Sequence, residues 1–392
     1  MTGSIEGLER FDSPGKGRGL RVTRPFKLGE LLFSSPAYSY VLSVKERGCL
    51  CEFCFTRKEG LARCGKCKKA FYCNVKCQKG DWAMHKLECS AMTAFGEKWC
   101  PSEMARLVAR ILAKKKVQKE RCVSEKILLL GEMQSHVDNE KREMNEADIA
   151  GLYQFYSKHL DMPDHKDLLT LFSQVACNGF TIEDDELSHM GTAVYPDVAL
   201  INHSCLPSVI VTYNGTSAEV RAVQDMKPGD EVLISYIDLL YPTDDRNNRL
   251  RESYYFTCDC QECKSKSKVR SSSDPIEPEV INNMVRYARK TIREFRASKN
   301  LLEMCEQSLE GDGNIDGAIR YGEKILKPYN RLYPPYSLNV SSMYLKLGRL
   351  YMGMERHSMG ISAFKKALAI MEVAHGKDHS YLVELRKEMA QK

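Results

Sequence analysis

Short apolar runs broken by proline and glycine open the chain. Gly19-Leu20-Arg21-Val22 and Glu30-Leu31-Leu32-Phe33 have strand character between turn residues. Residues 101–175 read differently. Met104, Leu107, Val108, Ile111 and Leu112 recur at helical spacing, Ile127, Leu128 and Leu129 follow, and Leu152, Phe155 and Tyr156 continue the pattern. Strands return after Phe180. Val209 to Tyr213, Asn214-Gly215 and then Ala218 to Val223 predict a β-hairpin with a two-residue turn. Lys227-Pro228-Gly229-Asp230 makes the next turn. Lys264 to Pro278 is rich in Lys and Ser, with two prolines, and reads as a linker.

Beyond that linker the pattern is helical and repeats. Gly317-Ala318-Ile319-Arg320-Tyr321 aligns with Gly360-Ile361-Ser362-Ala363-Phe364, a period of 43. Leu347-Gly348-Arg349-Leu350-Tyr351, followed by Ala363-Phe364 and Ala367-Leu368, matches tetratricopeptide chemistry, in which small residues let paired helices approach. Only Leu301 to Leu309 precedes Gly317, so the helix over 318–326 is expected to lack its partner and to expose apolar surface.

Composition sets bounds on this picture. A chain of 392 residues with 43% hydrophobic content suits two or three globular domains. No apolar run approaches the ~18–20 residues a membrane span needs. The net charge of +6 does not by itself announce nucleic-acid binding. It is uneven, with nine Lys/Arg against Glu59 and Asp81 between Arg57 and Lys86, and a second cluster at Lys114-Lys115-Lys116. No base-reading motif accompanies the patch, so it reads first as a solvated face offsetting thiolate charge, and any DNA binding is expected to be sequence-independent.

The sixteen cysteines carry the candidate chemistry. Cys51, Cys54, Cys64, Cys67, Cys73, Cys77, His85 and Cys89 form Cys-x-x-Cys, Cys-x-x-x-Cys and His-x-x-x-Cys groups, enough for two closed zinc sites. Disulfides would leave the histidine spacing unexplained, and no secretory leader pattern is visible. A module of about 40 residues builds little core, so metal would supply its folding energy. Cys205 with Cys258, Cys260 and Cys263 offers four more thiolates and a third closed site, and Tyr236 stands between them. Cys49, Cys100, Cys122, Cys177 and Cys305 remain as scattered, reduced thiols.

The order of ligands over 51–89 resembles the MYND finger, whose pattern implies that Cys51, Cys54, Cys73 and Cys77 share one ion and Cys64, Cys67, His85 and Cys89 another. Gly15-Lys16-Gly17-Arg18-Gly19-Leu20, Asn178-Gly179-Phe180, Asn202-His203-Ser204-Cys205, Ser235-Tyr236 and Cys258-x-Cys260-x-x-Cys263 resemble the motifs of a SET domain and its post-SET segment. A MYND finger inserted in a SET domain defines the SMYD family of protein-lysine methyltransferases, which the chain resembles over nearly its whole length. Members carry a longer helical stretch before the position of Gly317, so the C-terminal domain looks shortened.

The resemblance implies an α+β multidomain fold. A β-rich SET domain over 7–237 would be interrupted by the MYND zinc finger at 51–89 and a helical insertion at 100–175. A zinc-bound post-SET segment at 238–267 and an incomplete tetratricopeptide-like α-helical domain at 275–392 would come after it. The resemblance implies S-adenosylmethionine as cofactor, met by Lys16, Gly17, Arg18, His136, Asn202, His203, Tyr254, Tyr255 and Phe256. Tyr236 would be the catalytic residue, and Phe180, Tyr236 and Tyr254 would wall the substrate lysine channel. The chemistry agrees: the nucleophile must be a neutral amine, so a narrow aromatic channel that excludes water fits the need.

The resemblance further implies an enzyme that mono-methylates lysines of histone and non-histone proteins. Its role would lie in chromatin and transcription regulation, in cytoplasm and nucleus, as a monomer off the membrane. The alternative is a catalytically weak or silent scaffold or corepressor, its MYND finger taking proline-rich peptides. Chaperones or other proteins are candidate partners for the helical repeats. The completeness of the SET motifs favours the enzyme.

Overall fold

The computed structural model describes residues 5–117, 139–265 and 315–390. The opening runs pair as an antiparallel hairpin, β1 (Leu8–Ser13) on β2 (Gly17–Val22), with Leu8 facing Val22. Gly15 and Gly17 at its tip take φ of +74° and +75°, a region closed to most L-residues. The Asn214-Gly215 signal is met as expected: β10 (Val209–Asn214) turns into β11 (Ser217–Ala222) with Gly215 at φ +60°. β11 also pairs with β3 (Leu31–Pro36), and β4 (Ser39–Leu42), β8 (His189–Val194) and β7 (Gly179–Glu183) form a second antiparallel sheet. Two-residue strands β9 (Asn202–His203) and β12 (Leu233–Ile234) run parallel, which sets the Asn202-His203 turn beside the approach to Tyr236. Leu20, Val22, Phe26, Val209, Val220 and Val232 belong to the core beneath these strands.

The finger contains strands β5 (Ala62–Arg63) and β6 (Phe71–Tyr72) and helix α1 (Val75–Phe95). Asn74 caps α1 by accepting from the Cys77 N–H. Helix α2 (Glu103–Val117) comes next, then α3 (Asn139–Tyr156) and α4 (His165–Asn178). The apolar stripe expected on α2 is buried, but Arg106 and Arg110 are buried with it, at 0% and 2% exposure. Both reach the finger: Arg106 pairs with Glu88 at 2.7 Å and Arg110 with Asp81 at 3.0 Å. Buried charge survives because each partner is itself paired. Burial raises the Glu88 carboxyl, yet Arg106 and Arg110 outweigh it and hold it well below the usual carboxylate range.

Helices α5 (Thr243–Tyr254) and α6 (Gln261–Ser265) frame the second cysteine cluster. The C-terminal part is α7 (Ile315–Leu332), α8 (Leu338–Gly353), α9 (His357–Ala374) and α10 (Ser380–Ala390). The small residues act as the repeat chemistry expects. A Cβ on Gly348 would meet Phe364 at 2.4 Å, and one on Gly322 would meet Leu347 at 2.7 Å. The expectation of an unpartnered first helix is corrected. Ala318, Ile319, Ile325 and Tyr329 of α7 are buried in one cluster with Met343 and Leu347 of α8. After a short turn α8 folds back on α7 and covers its apolar residues. The linker reading at 264–278 falls beyond the described residues apart from its first two positions.

This helical unit is fastened to the strands at several points. Lys346 Nζ donates to the Glu186 carbonyl at 2.8 Å, and Arg349 pairs with Glu186 and with Asp185. Thr212 Oγ1 donates to the Ala374 carbonyl at 3.3 Å, and Tyr333 Oη donates to Asp238 at 2.6 Å.

Candidate active site and metal centres

The twelve expected metal ligands fall into three groups, Cys51/Cys54/Cys73/Cys77, Cys64/Cys67/His85/Cys89 and Cys205/Cys258/Cys260/Cys263. Within each, all ligand atoms lie within 4.8 Å of one another. A tetrahedron with metal–sulfur bonds of about 2.3 Å has sulfur–sulfur edges of about 3.8 Å. The observed separations match: Cys54–Cys73 3.7 Å, Cys64–Cys89 3.8 Å and Cys205–Cys263 3.6 Å. Disulfide sulfurs would sit about 2.05 Å apart. His85 turns Nε2 to Cys67 at 3.5 Å, which explains the histidine in a row of cysteines. The residues therefore fit three zinc ions.

The third centre holds a feature that motif spacing does not mark. Arg246 is fully buried and donates Nε to Cys205 Sγ at 3.3 Å and an Nη to Cys263 Sγ at 3.7 Å. Four thiolates around one zinc carry net negative charge, and the guanidinium offsets part of it. Asn247 accepts from the Cys258 N–H at 2.7 Å. Arg246 lies inside α5, whose sequence is mostly polar with Leu250 its buried aliphatic residue, so no apolar stripe marks it either.

This centre draws α5 and the segment after it against the Asn202-His203 turn. Tyr255 ends α5 at φ +63°. That left-handed turn sends the chain back, so that the Phe256 ring stands 5.8 Å from His203 and 6.3 Å from Tyr236. Tyr254 faces Tyr236 at 4.9 Å. The Tyr236 hydroxyl donates to the Ile201 carbonyl at 2.6 Å, and its backbone N–H donates to His203 Nδ1 at 3.0 Å. Burial, then the neighbouring Tyr254, push the Tyr236 phenol above its ordinary range, so it stays protonated. Burial pushes the His203 imidazole down to about 4, against the pull of Cys260, so Nδ1 is free to accept.

Tyr236 divides two regions. On one side a cleft of about 530 Å³ is lined by Phe180, Ile201, Tyr213, Tyr236, Tyr254 and, from the helical unit, Tyr333. The expected channel residues Phe180, Tyr236 and Tyr254 thus share one wall system. Of the expected cofactor residues, Tyr254 lies in this cleft, whereas Lys16, Arg18 and Asn202 gather outside its lining. Asn202 Nδ2 donates to the Arg18 carbonyl at 3.1 Å and to Glu231 at 2.9 Å, and Lys16 pairs with Glu231 at 3.0 Å. Glu231, which sequence reasoning did not single out, ties the loop to the turn. Gly17 has nothing within 4 Å of where a Cβ would stand, so a ligand can approach its backbone. With the rings of Tyr236 and Phe256 and the Ile201 carbonyl nearby, this ground suits an adenosyl group ending in a sulfonium cation. Tyr255 contributes its backbone turn, and His136 lies outside the described residues.

The comparisons agree with this geometry. The MYND finger family model matches residues 51–89. "N-lysine methyltransferase SMYD2-B" of Danio rerio is 61% identical over 425 positions, covering 98% of each chain. "N-lysine methyltransferase SMYD2" of Homo sapiens is 60% identical, and that of Bos taurus 59%, each with 98% of both chains covered. Since 98% of this chain is about 384 residues, about 41 of the 425 aligned positions face a gap in it. That internal shortfall is in keeping with the abbreviated stretch before Gly317. A solved structure titled "Crystal structure of the SET domain of LSMT bound to Lysine and AdoHcy" matches at 13% identity and a TM-score of 0.31, covering 99% of this chain and 88% of its own, too loose a likeness to bear on the site. At 61% identity across 98% of its length, the chain belongs to the SMYD family, in which the SMYD2 proteins are its relatives.

Proposed function

We propose that this chain is a protein-lysine N-methyltransferase that uses S-adenosylmethionine. The observation that carries this reading is the setting of Tyr236. Its protonated hydroxyl is fixed on the Ile201 carbonyl at the back of an aromatic cleft, with the glycine loop and the Asn202-His203 turn behind it. S-adenosylmethionine, when bound, supplies an electrophilic methyl group. Lys16, Gly17, Arg18, Asn202 and His203 would hold it, with Phe256 alongside.

The chain's own residues supply orientation and a dry path. Phe180, Tyr254 and Tyr236 narrow the approach so that a lysine enters end-on and sheds water. Losing water favours the neutral amine over the ammonium. The phenol dipole of Tyr236 and the Ile201 carbonyl then align the amine for in-line attack. Mono-methylation is the product we propose, as the family resemblance implies.

Lysines of histone and non-histone proteins are the proposed substrates, with a role in chromatin and transcriptional regulation. The finger is the proposed dock for proline-rich peptides, and the helical repeats for chaperones or other proteins. Cytoplasm and nucleus are the proposed locations, a reading supported by described cysteines that group as metal ligands at spacings unlike disulfides. The test is incubation with labelled S-adenosylmethionine and an array of lysine peptides, then mass spectrometry of the products. One methyl on one lysine is expected. No transfer to any peptide by zinc-replete protein would overturn the reading.

A further inference from the structure

Within the cleft of about 530 Å³, the described residues that line it include Glu183 and Asp238 but no lysine, arginine or histidine. Asp238 has the more telling position. It lies two residues beyond Tyr236, so their backbones are no more than about 7 Å apart. Its side chain is exposed to the cleft, yet it is held from two directions. Tyr333 Oη donates to its Oδ1 at 2.6 Å from the helical unit, and the Leu240 N–H donates to the same oxygen at 2.8 Å. Among the described residues Oδ2 has no bonded partner and no cation pairs with the carboxylate.

A tyrosine from one structural unit thus aims a carboxylate of another into the cleft, beside the residue that receives the target amine. The Pro334-Pro335-Tyr336 loop continues the same wall, with Tyr336 in the left-handed region at φ +64°. Strained backbone of this kind persists where surroundings over-determine it.

We propose that Asp238 is a specificity-determining residue that selects peptides carrying a second positive charge next to the lysine to be methylated, and that Tyr333 positions it. The inference rests on the methyltransferase reading for the identity of the cleft. A fixed, unpaired carboxylate attracts a lysine or arginine neighbour and repels an acidic one. Because it is exposed, the effect is several-fold rather than absolute, and salt weakens it.

The test uses the whole chain and three peptides of equal length, with the lysine flanked by arginines, by glutamines or by glutamates. Binding is read by fluorescence anisotropy without methyl donor, and turnover by steady-state kinetics. The wild type is expected to favour the arginine-flanked over the glutamine-flanked peptide about fivefold, mainly through Kd and KM, with the preference fading at high salt. Asp238→Asn should bring the two close to parity, and Asp238→Lys should favour the glutamate-flanked peptide. Tyr333→Phe should lose part of the preference, read in Kd, and it stands in if the Asp238 variants do not fold.

Parity in the wild type, or a preference that survives Asp238→Asn in folded protein, would overturn the proposal. So would an unchanged preference in Tyr333→Phe. A charge preference in binding with no methyl transfer to any peptide would support this inference while sinking the enzymatic one.

Discussion

At the scale of single residues, the site depends on groups that hold other groups. Arg246 touches neither cleft nor cofactor ground, yet it donates to two of the four thiolates that tether Phe256 beside Tyr236. Arg246→Met keeps much of the volume and removes the charge. Zinc affinity at the third centre is expected to fall roughly 10–100-fold, the scale seen when a supporting partner of a metal ligand is lost. Chelator competition with a colorimetric zinc indicator reads this directly, and the two finger sites serve as internal controls. The ligands themselves are all legible in the sequence, from clustered Cys and His spacings together with the Asn202-His203-Ser204-Cys205 motif. Arg246 and Glu231 are not. Each is one charged residue among many, and only the folded chain shows that Arg246 is fully buried and that Glu231 bonds Lys16 and Asn202.

At the scale of elements, the strands, the hairpin over 209–222 and the stripe on α2 come from alternation and helical spacing. The depth of α2 does not. Pattern alone places Arg106 and Arg110 on the wet face, whereas the finger supplies Glu88 and Asp81 to bury them. The start of α2 is held by a second, more open pair, His189 Nε2 with Glu103 at 2.8 Å. Hydrogen bonding to Glu103 raises the His189 imidazole above its ordinary value. Burial opposes ionisation of Glu103, but the bonds from His189 and Thr192 hold it down to about 2. The signs give a window. The carboxylate contribution is complete above its unfolded pKa near ~4.3 and is lost as pH falls toward 2. The imidazolium contribution is complete below about 6.5 and is lost as pH rises through its raised folded value. Thermal melts of His189→Gln against the parent should therefore differ most between about pH 4.5 and 6.5 and converge in mildly alkaline buffer. An equal difference at every pH would show the pair adds nothing electrostatic.

At the scale of the whole molecule, three metal centres hold the finger and the segment after α5, and a docked helical unit supplies Tyr333 to the cleft. Elemental analysis should find three zinc ions per chain, and removal of the metal should unfold the finger and release the segment after α5. Two ions at full occupancy would break the grouping of Cys205 with Cys258, Cys260 and Cys263. The repeat over 317–364 is legible in the sequence, but the fate of its first helix is not, since a pattern read along the chain cannot show α8 folding back on α7. Hydrogen exchange should therefore find the amides over 319–330 protected, and fast exchange there would restore the picture of an unpartnered helix. The reading of the molecule as an enzyme stands on one hydroxyl, that of Tyr236. Tyr236→Phe deletes it and keeps the ring against Tyr254 and Phe256. In paired assays of S-adenosylmethionine binding and peptide methylation, cofactor affinity should hold while turnover falls roughly 10–1000-fold. Turnover equal to the parent's, with the same affinity, would show that this tyrosine does not align the amine.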